Sequence, residues 1–208
     1  MKLRLLLLCK MTFLALLTIN SQALTELDLD FNYKKNIFGL DRESYETTRM
    51  YAGSVTFYFL SKTGIELNIS QSENEIIGKY DNSGLSTGLV IENEYTNIKT
   101  QSFGIGIRQA LSSRKSFLQP LISLGWSRQQ YTLYSTTLVK DLDTSTEYLI
   151  KSGKEKSSYD AMFGAFALKV MLTRTFSIKG SVRTVFRAFE FEQARDQLSY
   201  NAGISWLF

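Results

Sequence analysis

The last eleven residues read Leu198-Ser199-Tyr200-Asn201-Ala202-Gly203-Ile204-Ser205-Trp206-Leu207-Phe208. Leu198, Tyr200, Ala202, Ile204, Trp206 and Phe208 fall on one side of an extended chain. Ser199, Asn201, Gly203 and Ser205 fall on the other, and Leu207 alone breaks the alternation. Successive side chains of a strand point to opposite faces, so this stretch is a strand with one greasy and one polar side. A strand at the edge of a water-soluble sheet rarely finishes on an exposed Trp-Leu-Phe.

The same period of two recurs upstream and predicts about eight strands. The first covers roughly 25–35, with Leu27, Leu29, Phe31 and Tyr33 opposite Glu26, Asp28, Asp30 and Asn32. After a polar loop the second covers about 48–60, with Tyr51, Val55, Phe57 and Phe59. The short turn Ser61-Lys62-Thr63 leads to a third, in which Ile65, Leu67 and Ile69 oppose Glu66, Asn68 and Ser70. A long polar stretch holding the turn signal Asp81-Asn82-Ser83-Gly84 follows. The fourth strand sets Phe103, Ile105 and Ile107 against Ser102, Gly104, Gly106 and Arg108. A turn at 112–116 leads to the fifth, with Leu118, Pro120, Ile122, Leu124 and Trp126, Pro120 standing near its start where a missing donor is tolerated. A second polar segment spans about 135–158. The sixth strand has Phe166, Leu168, Val170 and Leu172. Beyond Thr173-Arg174-Thr175, the seventh sets Ile178, Val182 and Phe186 against Lys179, Arg183 and Arg187.

Connections after the second, fourth and sixth strands are short, those after the third and fifth are long, and those after the first and seventh are intermediate. Alternating short and long connections are the pattern of transmembrane barrels. The start of the chain agrees. Lys2 and Arg4 precede the apolar runs 5–8 and 11–17, and Ser21-Gln22-Ala23 offers small residues for cleavage, so residues 1–23 read as a secretory signal and 24–208 as one barrel domain. Lys10 interrupts the run and argues against a spanning helix, which needs about 20 apolar residues. A soluble all-β barrel would show the same alternation with its faces reversed, apolar inward. The signal, the aromatic end and the loop pattern favour the membrane form. At the level of architecture the mature chain resembles the small bacterial outer-membrane β-barrels of the OmpA/OmpX type. That resemblance implies an antiparallel up-and-down barrel in the outer membrane, in contact with its lipid and lipopolysaccharide. It also implies that the aromatic C-terminal strand is what the barrel-assembly machinery reads.

In such a barrel Glu26, Asp28, Asp30 and Glu66 point inward together with Arg108, Lys169, Lys179, Arg183 and Arg187. A narrow lumen cannot hold unpaired charge cheaply, so these groups are expected to pair. Asp28 or Asp30 is expected to reach Arg183, with Gly104 and Gly106 leaving space. Tyr33, Tyr51, Trp126, Trp206 and Phe208 are expected as anchors at the membrane interfaces. Extended character persists at 131–140 and 144–151, which predicts a hairpin projecting past the membrane. Lys151, Lys154 and Lys156 beside Asp160, with Arg128 above Trp126, form a mixed-charge patch suited to lipopolysaccharide phosphates.

The chain has 24 Lys+Arg against 20 Asp+Glu. Lys2, Arg4 and Lys10 belong to the signal, so the mature part is close to neutral and gives no basis for a nucleic-acid role. Histidine is absent and the one cysteine, Cys9, lies in the signal, so no disulfide is expected. A serine or threonine nucleophile needs a base beside it, and no distinctive carboxylate pair or Ser-Lys arrangement stands in for histidine. Gly104-Ile105-Gly106 begins a nucleotide-loop pattern, but Gln109 occupies the third glycine's place. Asp141 and Asp143 are the weak candidates for a loop Ca²⁺, and Asn68-Ile69-Ser70 matches a glycosylation acceptor inside a strand. No catalytic, cofactor or metal residue is therefore assigned. The residues favour a non-enzymatic structural or surface-interaction barrel whose extracellular ligand is unknown. A small passive pore is the alternative, and a lipid-modifying enzyme is a third, disfavoured one.

Overall fold

The computed structural model describes residues 24–39, 42–79, 89–141, 143–188 and 197–208. The expected signal, residues 1–23, and the Asp81-Asn82-Ser83-Gly84 turn lie outside them.

The described chain is all β. Its strands are β1 (Leu24–Phe38), β2 (Ser44–Tyr58), β3 (Thr63–Lys79), β4 (Leu89–Ala110), β5 (Leu118–Asp141), β6 (Glu147–Lys151), β7 (Glu155–Met171), β8 (Phe176–Arg187) and β9 (Leu198–Leu207). Neighbours run β4-β3-β2-β1-β9-β8-β7-β5-β6, and β4 also pairs with β5, which closes eight antiparallel strands into a barrel and leaves β6 outside the ring. The seam between first and last strands is tied at its base, where Phe208 N donates to Thr25 O at 2.8 Å. The links 59–62, 111–117 and 172–175 are short and share one end with Leu24 and Phe208.

Which face points out is decided by what is buried. Glu26 and Asp28 are 1% and 0% exposed, whereas Leu124 is 63% exposed and Tyr200 69%. A soluble barrel reverses this, because charges left in a dry interior beside an apolar coat in water lose on both counts. The inversion belongs to a barrel whose surroundings are lipid.

Hydrogen-bonded partners step upward around the barrel. From Leu24 the row passes through Tyr58, Gly64, Arg108, Ser123, Ala165 and Arg183 to Ser199. Continuing the β9–β1 register from Ala202↔Phe31 sets Ser199 opposite Lys34, ten residues above the start. That stagger, slightly more than one residue per strand, is what tilted strands require. Corrected for it, Tyr33, Tyr51, Trp126 and Tyr200 come to one level, and Trp206 and Phe208 lie about 6.5 to 8.5 residues lower. At a rise of ~3.3 Å and a tilt of ~40° this is roughly 16–22 Å, within the apolar band of about 25 Å that such barrels present to lipid. Between these two girdles the outward side chains are Leu29, Ile65, Leu67, Ile105, Ile107, Ile122, Leu168, Ile178 and Ile204.

The polar stretches expected as loops are largely strand. β3 continues to Lys79 and pairs with β4 from Asn93, and β4 and β5 stay paired up to Leu89↔Asp141. Above the membrane both faces of a strand meet water, so the alternation that marks a lipid-facing strand is absent there although the ladder continues. The first connection likewise shrinks to residues 39–43, with Gly39 at φ 90° in its turn. The expected projecting hairpin is present as distal β5 with β6, in register from Thr136↔Lys151 to Lys140↔Glu147. The returning arm is a separate strand, and β7 begins only at Glu155. At the tip Asp141 Oδ1 accepts from Asp143 N at 2.9 Å and from Thr144 N at 3.4 Å. Thr144 and the Asp143 amide thereby hold the Asp141 carboxyl below its ordinary pKa. No cluster of metal-ligating side chains occurs among the described residues.

Candidate functional site: the charged lumen

The lumen is built on the inward parity of β1, β3, β4, β7 and β8. Arg108 stands at its centre. Its Nη1 donates to Glu26 Oε1 at 3.0 Å and makes a shorter bond to Asp28 Oδ2. Its Nε donates to Glu66 Oε2 at 3.0 Å, and its Nη2 donates to Ser54 Oγ at 3.1 Å. One guanidinium thus joins three carboxylates from two strands, which its planar fork of five donors permits and a lysine would not.

Two lysines of the far wall and Tyr58 of β2 complete the network, whereas Asp28 Oδ1 and Asp30 Oδ1 are buried without a hydrogen-bond partner among the described residues. Lys169 Nζ reaches Glu26 Oε2 at 2.6 Å, and Tyr58 Oη donates to the same oxygen at 3.1 Å. Lys179 Nζ lies 2.9 Å from Asp28 Oδ2 and 2.8 Å from Asp30 Oδ2. Lys169 and Lys179 are register partners on β7 and β8, and the β1 carboxylates offset the repulsion between them. Buried charges tied this way are costly to separate, because each would strand the other in a low dielectric.

Arg183 departs from expectation. It pairs with neither Asp28 nor Asp30. Its Nη2 donates to Asn68 Oδ1 at 3.2 Å, and its guanidinium lies 4.7 Å over the Phe163 ring. Asp30 is engaged instead by Lys179, which shares its row. Arg187 is likewise outside the network: it is exposed, 5.4 Å over the Tyr159 ring near the outer end of β8. The lumen charges are therefore four acids with Arg108, Lys169, Lys179 and Arg183.

Two inward residues escaped the pattern. Phe163 and Leu121 are each 2% exposed, inside the bore. In Ala161-Met162-Phe163-Gly164-Ala165-Phe166 small and apolar residues occupy both faces, so parity is unreadable without the flanking register. Gly106 and Gly125 were the available signal. A Cβ at either would sit 2.7 Å or 2.6 Å from the Phe163 ring. The space expected at Gly106 for long charged side chains is thus filled by an aromatic ring. Beside these groups lies a cavity of about 30 Å³ lined by Asp30, Glu66, Arg108, Lys179 and Arg183 among others. That is room for about one water molecule.

The expected interface anchors Tyr33, Tyr51, Trp126, Trp206 and Phe208 all face outward, and Trp206 stacks on Phe208 with centroids 5.5 Å apart. Just above Trp126, Arg128 bonds Asp160 at 2.9 Å and Ser158 Oγ at 2.9 Å. Lys151 and Lys154 are exposed at and just beyond the end of β6, whereas Lys156 belongs to the outer wall of β7.

This is the fold of the small outer-membrane barrels. The crystal structure of the outer membrane protein OprG from Pseudomonas aeruginosa superposes with a TM-score of 0.56 at 13% identity, over 91% of this chain and 97% of that one. A major outer membrane protein from Thermus thermophilus does so with a TM-score of 0.50 at 11% identity, over 90% and 100%. No protein-family model and no curated protein sequence matches the chain. The likeness is one of fold alone, and the lipid-facing outer wall described above agrees with a membrane barrel.

Proposed function

We propose that this protein is a non-enzymatic, non-conducting outer-membrane barrel that works at the cell surface through the sheet rising above its outer girdle. The observation that carries this is the Arg108 network. One arginine, two lysines and four carboxylates fill the bore from β1 to β8, and a cavity beside them admits about one water. Such a lumen is a staple across the barrel rather than a path through it. The absence of histidine supports the non-enzymatic half of the reading. The surface half is supported by distal β5 and β6, whose Tyr148, Leu149 and Ile150 are all at least half exposed. One edge of β6 pairs with β5, and it has no other strand partner among the described residues. An open edge of this kind is a site for strand addition by an extended partner segment. The exposed aromatic strand β9 is the segment we assign to recognition by the barrel-assembly machinery.

Reconstitution of residues 24–208 in a planar bilayer tests the plug. No steady conductance is expected, and a steady open channel would replace this reading with the passive pore. A companion variant lacking residues 143–152 should fold and resist heat like the parent while losing binding to surface partners.

A further inference from the structure

The free edge of β6 carries its own complement. Asp141 N donates to Thr146 O and Ser152 N to Ser135 O, both at 2.9 Å, one bond at each end of the β5–β6 ladder. Hydrogen-bonded and non-hydrogen-bonded pairs alternate along an antiparallel ladder. In the register Thr136↔Lys151 to Lys140↔Glu147, Tyr148 and Ile150 therefore direct their N–H and C=O groups to β5, and Glu147, Leu149 and Lys151 direct theirs to the open side. That side has no strand partner among the described residues. No proline or register shift blunts the edge, and its centre is the exposed run Tyr148-Leu149-Ile150. Glu147 and Lys151 flank that run, exposed and in no ion pair among the described residues.

Glu147-Tyr148-Leu149-Ile150-Lys151 is charge-complementary to its own reversal. A second copy turned about Leu149 sets Glu147 against Lys151, Tyr148 against Ile150 and Leu149 against Leu149. This register matches every outward-aimed N–H and C=O of one strand to one of the other. A shift by one residue sets free groups against groups already bonded to β5, and a shift by two leaves Glu147 or Lys151 outside. Parallel pairing brings like charges together, which is unfavourable.

We infer that β6 pairs with β6 of a second copy of this chain, antiparallel and about a two-fold axis at Leu149, and that the two copies stand in facing membranes. The β5 register extends the match across the joined sheet. Lys140, Glu147 and the second copy's Lys151 form one row, and Leu138, Leu149 and the second copy's Leu149 and Leu138 form the next. Opposite charges and aromatic–β-branched pairs directly across from one another are the contacts that stabilise a strand pair. The facing arrangement follows from direction. β6 runs from the hairpin tip back toward its own membrane, so an antiparallel partner has its membrane on the far side. The hairpin supplies the clearance, since Leu138 lies twelve residues beyond Trp126, roughly 30 Å above the upper girdle at the usual rise and tilt.

Self-pairing rests on the open edge proposed above for strand addition, with a second copy as the added strand. The test places residues 24–208 singly in lipid nanodiscs, whose two faces are both open to solution, and follows association of discs by analytical ultracentrifugation. Paired discs are expected. Lys151→Glu sets acid against acid at the joint, and Lys140→Glu/Glu147→Lys sets base against base while keeping opposite charges within the hairpin. Each variant alone should associate about tenfold more weakly. An equimolar mixture of the two, in which every contact is again acid against base, should associate like the parent. Leu149→Cys, which gives the only thiol in residues 24–208, should link two discs through a disulfide under a mild oxidant. Glu147→Cys should not, because the register sets it too far along the strand from its own copy to be bridged. All the substituted side chains of β6 are exposed, and a heat-shift gel confirms that each variant is folded. A mixture that associates no better than its components overturns the inference, as does a Leu149→Cys link that forms only between barrels sharing one disc. Discs that stay single while a synthetic peptide of residues 146–152 binds the barrel overturn self-pairing and leave strand addition standing, and failure of that peptide to bind as well removes both.

Discussion

Lys179 and Asp30 lie on one hydrogen-bonded row with Gly203 between them, and the lysine passes over that glycine to place Nζ 2.8 Å from Asp30 Oδ2. A Cβ on Gly203 would press on the Asp30 carboxylate and on the Leu29 carbonyl oxygen. Gly203→Ala should therefore displace Asp30 and destabilise the barrel by about 1–3 kcal/mol, as overpacking does. Gly180→Ala on the neighbouring strand has nothing within 4 Å of the added carbon and should be close to neutral. Urea unfolding in lipid vesicles measures both, and equal costs would mean that the row is not packed as described.

The partner of Asp30 is a separate test. Removing one member of a buried pair costs roughly 3–5 kcal/mol, and the double variant recovers part of it. Asp30→Ala with Lys179→Ala should be strongly non-additive. Asp30→Ala with Arg183→Ala should couple more weakly than that pair, since the two line one cavity but share no bond in the structure.

Arg108→Lys should fail as a conservative change. A lysine supplies three donors from one point, and the guanidinium holds Glu26, Asp28 and Glu66 from different atoms. A loss of at least about 3 kcal/mol is expected, of the order of stranding one buried carboxylate. Conductance traces of this variant should become noisier than those of the parent, and a stable, silent Arg108→Lys barrel would contradict the central role given to Arg108.

Leu168 faces lipid near mid-height between the girdles. Leu168→Arg should cost about 2–4 kcal/mol in a folding assay in vesicles, the range for a charge near the midplane. A harmless substitution would invert the assignment of the two faces.

Much of this was legible in the chain itself. Glu26, Asp28 and Asp30 alternate with Leu27, Leu29 and Phe31, and that contrast is enough to place three carboxylates in the bore. Leu198 to Phe208 gives the opposite wall as plainly. Pairing was not legible, because it depends on the stagger. Lys179 meets Asp30 through a register that no local stretch contains, and Arg183 is diverted by Phe163, whose neighbours on both faces are small or apolar. The tall strands were missed for another reason. Residues 70–79 and 90–100 carry polar side chains on both faces because water lies on both sides, and a pattern that reports burial is silent where nothing is buried.

The seam between β1 and β9 has a consequence for how the chain is made. Strand β9 is the last of the ring to be synthesised, and it supplies the partner for β1 as well as for β8. Until it arrives the other strands are an open sheet with two unsatisfied backbone edges, a form that hydrocarbon does not accept. A chain cut short before Leu198 is thus no weaker version of the barrel. It has no membrane form at all, so β9 acts as a completion check, and only a molecule translated through that strand passes into the bilayer.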